Sequence, residues 1–127
     1  MEHAPVILII EDSALIRATA RDALLLAGFR VYEENNGKEG LARALRMHPD
    51  LIMLDLMMPV MDGMTMLKLL RKDEWGANVP VIILTATKNE TMASEHPNEK
   101  LDFLLKENWV VDEVVERVKL RLKEAVK

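Results

Sequence analysis

The sequence predicts an α/β domain in which a doubly wound parallel sheet of five strands is flanked by helices. Two observations support this fold class. Short, nearly unbroken aliphatic runs recur along the chain, and such runs are typical of strands buried on both faces of a parallel sheet. Helical segments follow most of these runs, and strands that alternate with helices favour right-handed crossovers and a sheet covered on both sides. The strand order 2-1-3-4-5 would bring strands one and three together at the switch point.

The first strand and helix form one βα unit. Val6 to Ile10 is the first aliphatic run. Ser13 is suited to cap a helix that runs through Ala27, and Gly28 ends it in the left-handed conformation that favours glycine. We predict that the inward face of this helix comprises Ile16, Ala20, Ala23, Leu24 and Ala27, whereas Ala14, Leu15, Ala18 and Leu25 point largely outward.

The second unit begins with a strand at Phe29 to Glu33. Asn36 and Gly37 lead into a helix that ends at Pro49, because proline cannot continue a helix. We predict that the apolar residues of this helix, Leu41, Ala44 and Leu45, share its core-facing side.

The remaining strands are Leu51 to Leu54, Val81 to Leu84 and Leu101 to Leu105. The loop after Asp55 contains Pro59, which fixes a turn, and Gly63, which permits close approach of the backbone. A helix over Thr65 to Lys72 has Met66, Leu67 and Leu70 at helical spacing. The last helix begins near Val110 and is predicted to bury Val111, Val114, Val115, Val118 and Leu122.

Residues Lys88 to Lys100, between the fourth and fifth strands, carry a weak helical pattern. Met92 and Ala93 are their one core-facing pair, and Pro97 interrupts the segment. We therefore expect a short or irregular fourth helix of one or two turns.

Composition narrows the functional classes. A chain of 127 residues, half of them apolar, is most economically a single domain over residues 1–127 with no output domain. The net charge of -4 argues against nucleic-acid binding. The absence of cysteine excludes disulfides and thiol catalysis. No apolar run is long enough for a membrane span or a signal peptide, so we expect a cytoplasmic protein without membrane insertion.

Charged and hydroxyl side chains stand at the ends of four predicted strands. Glu11 and Asp12 follow the first strand and Asp55 the third, whereas Thr85 and Lys106 follow the fourth and fifth. Residues just beyond the carboxyl ends of parallel strands converge in one crevice. Three carboxylates there favour a divalent cation, and Mg²⁺ accepts carboxylate oxygens while keeping waters that phosphate can replace. The hydroxyl and the ammonium group suit phosphoryl oxygens.

Taken together, these motifs resemble a response-regulator receiver domain over essentially the whole chain. The matching residues are Glu11-Asp12, the segment from Leu54 to Gly63 with Asp55 and Pro59, Thr85-Ala86, and the segment from Asp102 to Lys106. Any one of these motifs is a weak signal, but their order on predicted strand ends is a strong one.

The resemblance implies a role for each residue. Asp55 would be the phosphoacceptor, receiving a phosphoryl group from a phosphohistidine on a sensor histidine kinase or a histidine phosphotransfer protein. Glu11, Asp12, Asp55 and the backbone carbonyl of Met57 would hold Mg²⁺. Lys106 would pair with a phosphoryl oxygen, and Thr85 would move to hydrogen-bond it while Phe103 turns inward. Such a switch is a population shift between two packings.

The resemblance also implies partners. The outward residues Ala14, Leu15 and Ala18 are either scattered surface apolar residues, which are common, or a stripe that docks on the phosphodonor beside the pocket. A stand-alone receiver would pass its signal to a downstream protein partner, as a monomer or a phosphorylation-dependent dimer. It would promote its own phosphorylation and dephosphorylation without being an enzyme for a free metabolite.

Two positions depart from the usual pattern of the family. Glu107 follows Lys106 where proline is usual, and a cis bond before a residue other than proline costs roughly 3 kcal/mol. We therefore expect a trans bond between Lys106 and Glu107. Glu11 stands where aspartate is common, which adds one methylene and keeps the charge.

Three alternative functions remain open. A small aspartyl-phosphate phosphohydrolase would need a second aspartate two residues after the nucleophile, where this chain has Met57. A nucleotide- or flavin-binding module would need a Gly-x-Gly-x-x-Gly loop, which does not follow the first strand. A receiver-like module that binds partners without phosphorylation is kept open by Glu107 and by the polar segment from Lys88 to Lys100.

Overall fold

The computed structural model describes residues 4–85, 101–106 and 111–125. These residues form a five-stranded parallel sheet in the order β2-β1-β3-β4-β5. The strands are β1 (Val6–Ile10), β2 (Arg30–Glu34), β3 (Leu51–Asp55), β4 (Val81–Thr85) and β5 (Leu101–Leu105). The fold class and the strand order predicted from the sequence are thus confirmed.

Four helices lie in the described residues: α1 (Ala14–Leu26), α2 (Gly37–Met47), α3 (Gly63–Lys72) and the C-terminal helix α4 (Val111–Ala125). The short helix predicted within residues 88–100 and the Lys106–Glu107 bond lie outside the described residues. None of the described helices combines the length and the apolar content that a bilayer crossing requires.

The core is divided by the sheet into two layers. On one face, α1 and α4 pack side by side over alternate strand residues such as Ile9, Met53 and Leu84. On the other face, α2 and α3 cover the residues of opposite parity, including Ile10, Leu54 and Ile83. Every residue of β3 and β4 is buried, as expected for central strands of a parallel sheet.

The predicted helix ends agree with the structure at several positions. The Ser13 hydroxyl accepts a hydrogen bond from the Ile16 amide and caps α1. Asn36 caps α2 in the same way by accepting from Glu39. Gly28 follows α1 with a φ of 96°, a conformation that favours glycine. In α4, Val114 and Val118 are buried while Val115 and Leu122 pack at the edge of the core; the side chain of Val111 lies outside the described part.

Three burial predictions were wrong. Ala27 is exposed because it forms the C-cap of α1, where the chain turns away from the sheet. Leu45 is 37% exposed, since Gly40 and Ala44 occupy the buried side of α2 and Leu45 lies one position beyond it. Ala18, predicted to point largely outward, is half-buried. A period of 3.6 residues locates a helix face only to within about one position.

Candidate functional site

The carboxyl ends of the strands meet at one edge of the sheet and bring the predicted acidic residues together. Ile10 of β1 is in register with Leu54 of β3, so Glu11 and Asp55 both come one residue later. One carboxylate oxygen from each of Glu11, Asp12 and Asp55 lies within 4.8 Å of the other two. This is the arrangement in which three side chains can share one cation.

The three acids differ in burial. Glu11 is fully buried and Asp55 is 2% exposed, whereas Asp12 lies on the solvent side. Asp55 Oδ2 is buried and has no hydrogen-bond partner among the described residues. Glu11 Oε1 is likewise buried without a hydrogen bond among these residues and has only its ion pair with Lys106. A buried carboxylate oxygen without a partner is costly, so a cation bound between these oxygens would relieve that cost.

Lys106 bridges the two buried acids. Its Nζ lies 2.9 Å from Glu11 Oε1 and 2.9 Å from Asp55 Oδ1. Burial alone would lower the pKa of Lys106, but the carboxylates of Glu11 and Asp55 outweigh this effect, so the pKa is raised and the ammonium group keeps its proton. The lysine therefore supplies a fixed positive charge beside the carboxylates of Glu11 and Asp55.

Glu11 has an unusual protonation equilibrium. Burial raises the pKa of Glu11 to about 7, and the nearby charge of Asp55 adds to the rise. The Ser13 amide, which donates to Glu11 Oε2 at 3.0 Å, and the Lys106 ammonium group act in the opposite direction. In the absence of a cation, Glu11 thus binds a proton at higher pH than an exposed glutamate does.

The loop between β3 and α3 closes one side of the pocket. The Met57 amide donates to Asp55 Oδ1 at 3.3 Å, and the Met57 side chain is 79% exposed. A Cβ on Gly63 would lie 2.3 Å from the Asp55 carbonyl oxygen, which confirms the close backbone approach predicted at this glycine. Asp62 caps α3 by accepting from the Thr65 amide, and this bond lowers the pKa of Asp62.

Val60, in the same loop, has a backbone conformation that sequence reasoning missed. Its φ is 71° and the Met61 amide bonds to the Pro59 carbonyl oxygen at 2.8 Å, which defines a three-residue γ-turn. A positive φ is rare and strained for a β-branched residue. The Val60 side chain is 77% exposed, so the loop presents an apolar side chain beside the acidic pocket.

The other predicted site residues lie near the pocket or at its border. Thr85 is the last residue of β4 and is paired in register with Leu105, next to Lys106. Phe103 is half-buried against the layer that α2 and α3 cover. On α1, Ala14 is exposed and Leu15 is 77% exposed, whereas Ala18 is half-buried. The predicted docking stripe is therefore open to solvent at its first two residues.

Arg17 contacts the site and was not predicted. Its guanidinium Nη1 donates to the backbone carbonyl of Glu11 at 2.7 Å. The sequence signal that points to it is its position one helical turn after the Ser13 cap, which places it over the strand end. An arginine at such a position is common on any exposed helix, so the signal is weak.

Comparison with known proteins supports a single family. A family model described as "Response regulator receiver domain" matches residues 7–119. The chain is 38% identical over 119 residues to the DNA-binding dual master transcriptional regulator RpaA of Synechocystis, a match that covers 94% of this chain and 49% of that protein. It is 36% identical over 117 residues to the KDP operon transcriptional regulatory protein KdpE of Escherichia coli. This match covers 92% of this chain and 51% of that protein. The chain thus spans about half the length of these curated relatives.

Solved structures show the same similarity. The chemotaxis response regulator CheY4 of Vibrio cholerae superimposes with a TM-score of 0.85 at 25% identity, with 94% of this chain and 99% of that one covered. The receiver domain of the sensor histidine kinase PA1611 of Pseudomonas aeruginosa superimposes with a TM-score of 0.84 at 25% identity. The superposition covers 95% of this chain and 99% of that one. The latter structure holds a magnesium ion in its active-site cleft.

Proposed function

The chain belongs to the response-regulator receiver family, and from this premise we propose that Asp55 accepts a phosphoryl group from a phosphohistidine. The supporting observation is the environment of its carboxylate: Lys106 and the Met57 amide hold Oδ1, while Oδ2 is buried and has no hydrogen-bond partner among the described residues. Attack by a carboxylate oxygen forms an O–P bond as the N–P bond of the donor breaks. The imidazole leaves with that electron pair and takes a proton from solvent.

Lys106 and Thr85 would act on the phosphoryl oxygens. Phosphoryl transfer depends mainly on positioning and on neutralising the charge of the equatorial oxygens. Lys106 already lies 2.9 Å from Asp55 Oδ1, so a phosphoryl group on Asp55 would lie within reach of the ammonium group. Thr85 at the end of β4 would hydrogen-bond a second oxygen, and Phe103 would move inward with it.

The acidic cluster fits a magnesium ion. Glu11, Asp12 and Asp55 supply carboxylate oxygens, the ligand type that Mg²⁺ prefers, and the unpartnered Asp55 Oδ2 gains a partner if a cation binds. The Met57 backbone carbonyl is the fourth proposed ligand. When bound, the ion would neutralise negative charge between the carboxylates and the phosphoryl oxygens.

The proposed partners are a sensor histidine kinase or a histidine phosphotransfer protein, and a downstream protein that reads the switch. The exposed residues Ala14 and Leu15, with the half-buried Ala18, form the proposed docking stripe for the donor. A stand-alone receiver domain in the cytoplasm, monomeric or dimerising on phosphorylation, stays a prediction. So does the absence of enzymatic activity on a free metabolite.

Intact mass spectrometry would test the proposal. Native protein incubated with Mg²⁺ and a small acyl phosphate is expected to gain one phosphoryl group. Asp55→Asn is expected to gain none, because its amide is not a nucleophile for phosphorus. Asp22→Asn, which changes an exposed aspartate of α1, is the matched control and is expected to behave like the native protein.

Two results would contradict the proposal. Modification of Asp55→Asn to the native extent would show that another residue is the acceptor. Failure of native protein to gain a phosphoryl group from either an acyl phosphate or a phosphohistidine protein would favour a receiver-like module that binds partners without phosphorylation. Steady turnover of a small phosphomonoester would favour the phosphohydrolase.

A further inference from the structure

Arg17 on α1 connects the acidic pocket to the neighbouring strand β2. Its Nη1 donates to the Glu11 carbonyl oxygen at 2.7 Å, and its Nε donates to Glu33 Oε1 at 3.1 Å. The Arg17 side chain is 20% exposed and that of Glu33 28% exposed. Both bonds are charge-assisted and partly shielded from water, which makes them stronger than typical surface contacts.

The Glu11 carbonyl lies where the sheet ladder stops. The Glu11 amide still pairs with the Glu34 carbonyl at 3.0 Å, but β2 ends at Glu34 and offers no further strand residue to bond the next peptide group. At this point the Arg17 guanidinium group donates the hydrogen bond to the Glu11 carbonyl oxygen. A backbone carbonyl at a strand end needs a hydrogen-bond partner unless water reaches it.

This carbonyl belongs to the peptide group that joins Glu11 to Asp12. Because the peptide group is planar, a hydrogen bond on its oxygen also orients its nitrogen, and hence the start of Asp12. Because the Glu11 amide is held by the Glu34 carbonyl, fixing this plane restricts the ψ angle of Glu11 and so the position at which Asp12 begins. Arg17 thus acts on the backbone that carries both carboxylates.

Glu33, the carboxylate that pairs with Arg17, also pairs with a second guanidinium group. Arg21, one turn further along α1, reaches the other oxygen of Glu33 at 3.3 Å and also contacts Asp22. Glu33 is thus held between two guanidinium groups, of which that of Arg17 also bonds to the Glu11 carbonyl. Arg17 and Arg21 have the same charge and share Glu33, so Arg21 is a matched comparison for Arg17.

We infer that Arg17 is a positioning residue that sets the Glu11–Asp12 peptide so that both acids face the cation site. This inference rests on the proposed function and extends it to a residue outside the acidic cluster. Outer residues that orient metal ligands typically affect metal affinity 10–100-fold. We expect Arg17→Gln to weaken Mg²⁺ binding about tenfold, and Arg21→Gln to change it less than about twofold.

The experiment measures two quantities on the native protein, Arg17→Gln and Arg21→Gln. Titration calorimetry gives the dissociation constant for Mg²⁺. The amide resonance of Asp12 in ¹H–¹⁵N spectra, recorded with EDTA, reports the Glu11–Asp12 peptide without any metal. In Arg17→Gln this resonance is expected to shift or broaden more than in Arg21→Gln, because the Glu11 carbonyl loses its partner.

The outcomes separate this inference from the proposed function. Equal Mg²⁺ affinities for Arg17→Gln and Arg21→Gln, with the Asp12 resonance unchanged, would overturn it. If the native protein does not bind Mg²⁺, the metal site of the proposed function fails, and the Asp12 resonance alone decides the role of Arg17. Should Arg17→Gln not fold, Glu33→Gln removes the anchor of Arg17 and is expected to change both quantities in the same direction by a smaller amount.

Discussion

At the scale of single residues, three carboxylates of similar chemistry acquire different properties from their surroundings. Glu11 is buried beside Lys106 and has a raised pKa. Asp55 is buried, and its Oδ2 accepts no hydrogen bond from the part of the chain that the structure describes, whereas Asp12 faces water. Desolvation disfavours the charged form of a carboxyl group, and a nearby ammonium group favours it. In Glu11 desolvation is the larger of these two effects.

The raised pKa of Glu11 predicts a pH-dependent stability for the metal-free protein. The folded state binds the Glu11 proton more tightly than the unfolded state does, with a pKa of about 7 against 4.5. The free energy of unfolding should therefore fall as the pH rises from about 4.5 to about 7. The coupling of proton binding to folding limits this fall in the free energy of unfolding to about 3 kcal/mol. Solvent at the open side of the pocket makes the fall smaller.

Urea unfolding across this pH range in EDTA measures the effect. Glu11→Gln should make the stability nearly independent of pH between these values, because its amide does not titrate. Glu74→Gln, which changes an exposed glutamate far from the pocket, should keep the slope of the native protein. A native stability that rises with pH over this interval would contradict the assignment.

At the scale of elements, the contact between the start of α3 and the end of β3 positions Asp55, the proposed phosphoacceptor. The Gly63 amide donates to the Leu56 carbonyl at 3.0 Å, and the absence of a side chain lets α3 begin against the Asp55 carbonyl. A Cβ there would lie 2.3 Å from the Asp55 oxygen. Since the clash is with backbone, no rotamer change can relieve it.

We therefore predict that Gly63→Ala lowers the free energy of unfolding by about 1–3 kcal/mol, as overpacking typically does, and reduces phosphoryl acceptance by displacing Asp55. Denaturant unfolding and intact mass measure the two effects. Gly28→Ala is the comparison variant. A Cβ at this position has no heavy atom within 4 Å, but a φ of 96° is strained for alanine and costs about 1–2 kcal/mol. Full phosphorylation of Gly63→Ala, matching that of Gly28→Ala, would contradict the positional argument.

At the scale of the whole molecule, one sheet joins two apolar layers into a single body. Leu24 of α1 belongs to the layer beside α4, and Trp75 packs against the opposite layer. Because the same strands contribute to both layers, loss of packing on one side should destabilise the other. Small domains of this kind usually unfold in one cooperative step.

We predict that Leu24→Ala lowers the free energy of unfolding by about 2–5 kcal/mol and shifts the unfolding midpoint of both layers together. Far-ultraviolet circular dichroism reports the helices, and fluorescence reports Trp75 in a Trp109→Phe background. Leu26→Ala, on the same helix but at a residue 90% exposed, is expected to change little. Separate midpoints for the two signals would show that the layers unfold independently.

Most of the fold followed from local patterns in the sequence. Aliphatic runs such as Val81 to Leu84 and caps such as Ser13 depend on neighbours within a few positions, so periodicity and residue preferences identify them. The errors occurred at Ala27, Ala18 and Leu45, where burial depends on which residues the neighbouring elements present. Strand ends differed by one residue at β2, β3 and β4, because the last pairing depends on the partner strand.

The sequence by itself determined that acids, a hydroxyl and a lysine follow the strands of one parallel sheet, since order along the chain and strand direction suffice for that conclusion. Only the tertiary structure decided that Lys106 bridges Glu11 and Asp55, and that Arg17 holds the Glu11 carbonyl. These contacts join side chains and backbone from segments far apart in the chain. Their distances depend on packing between elements, which no local pattern of residues encodes.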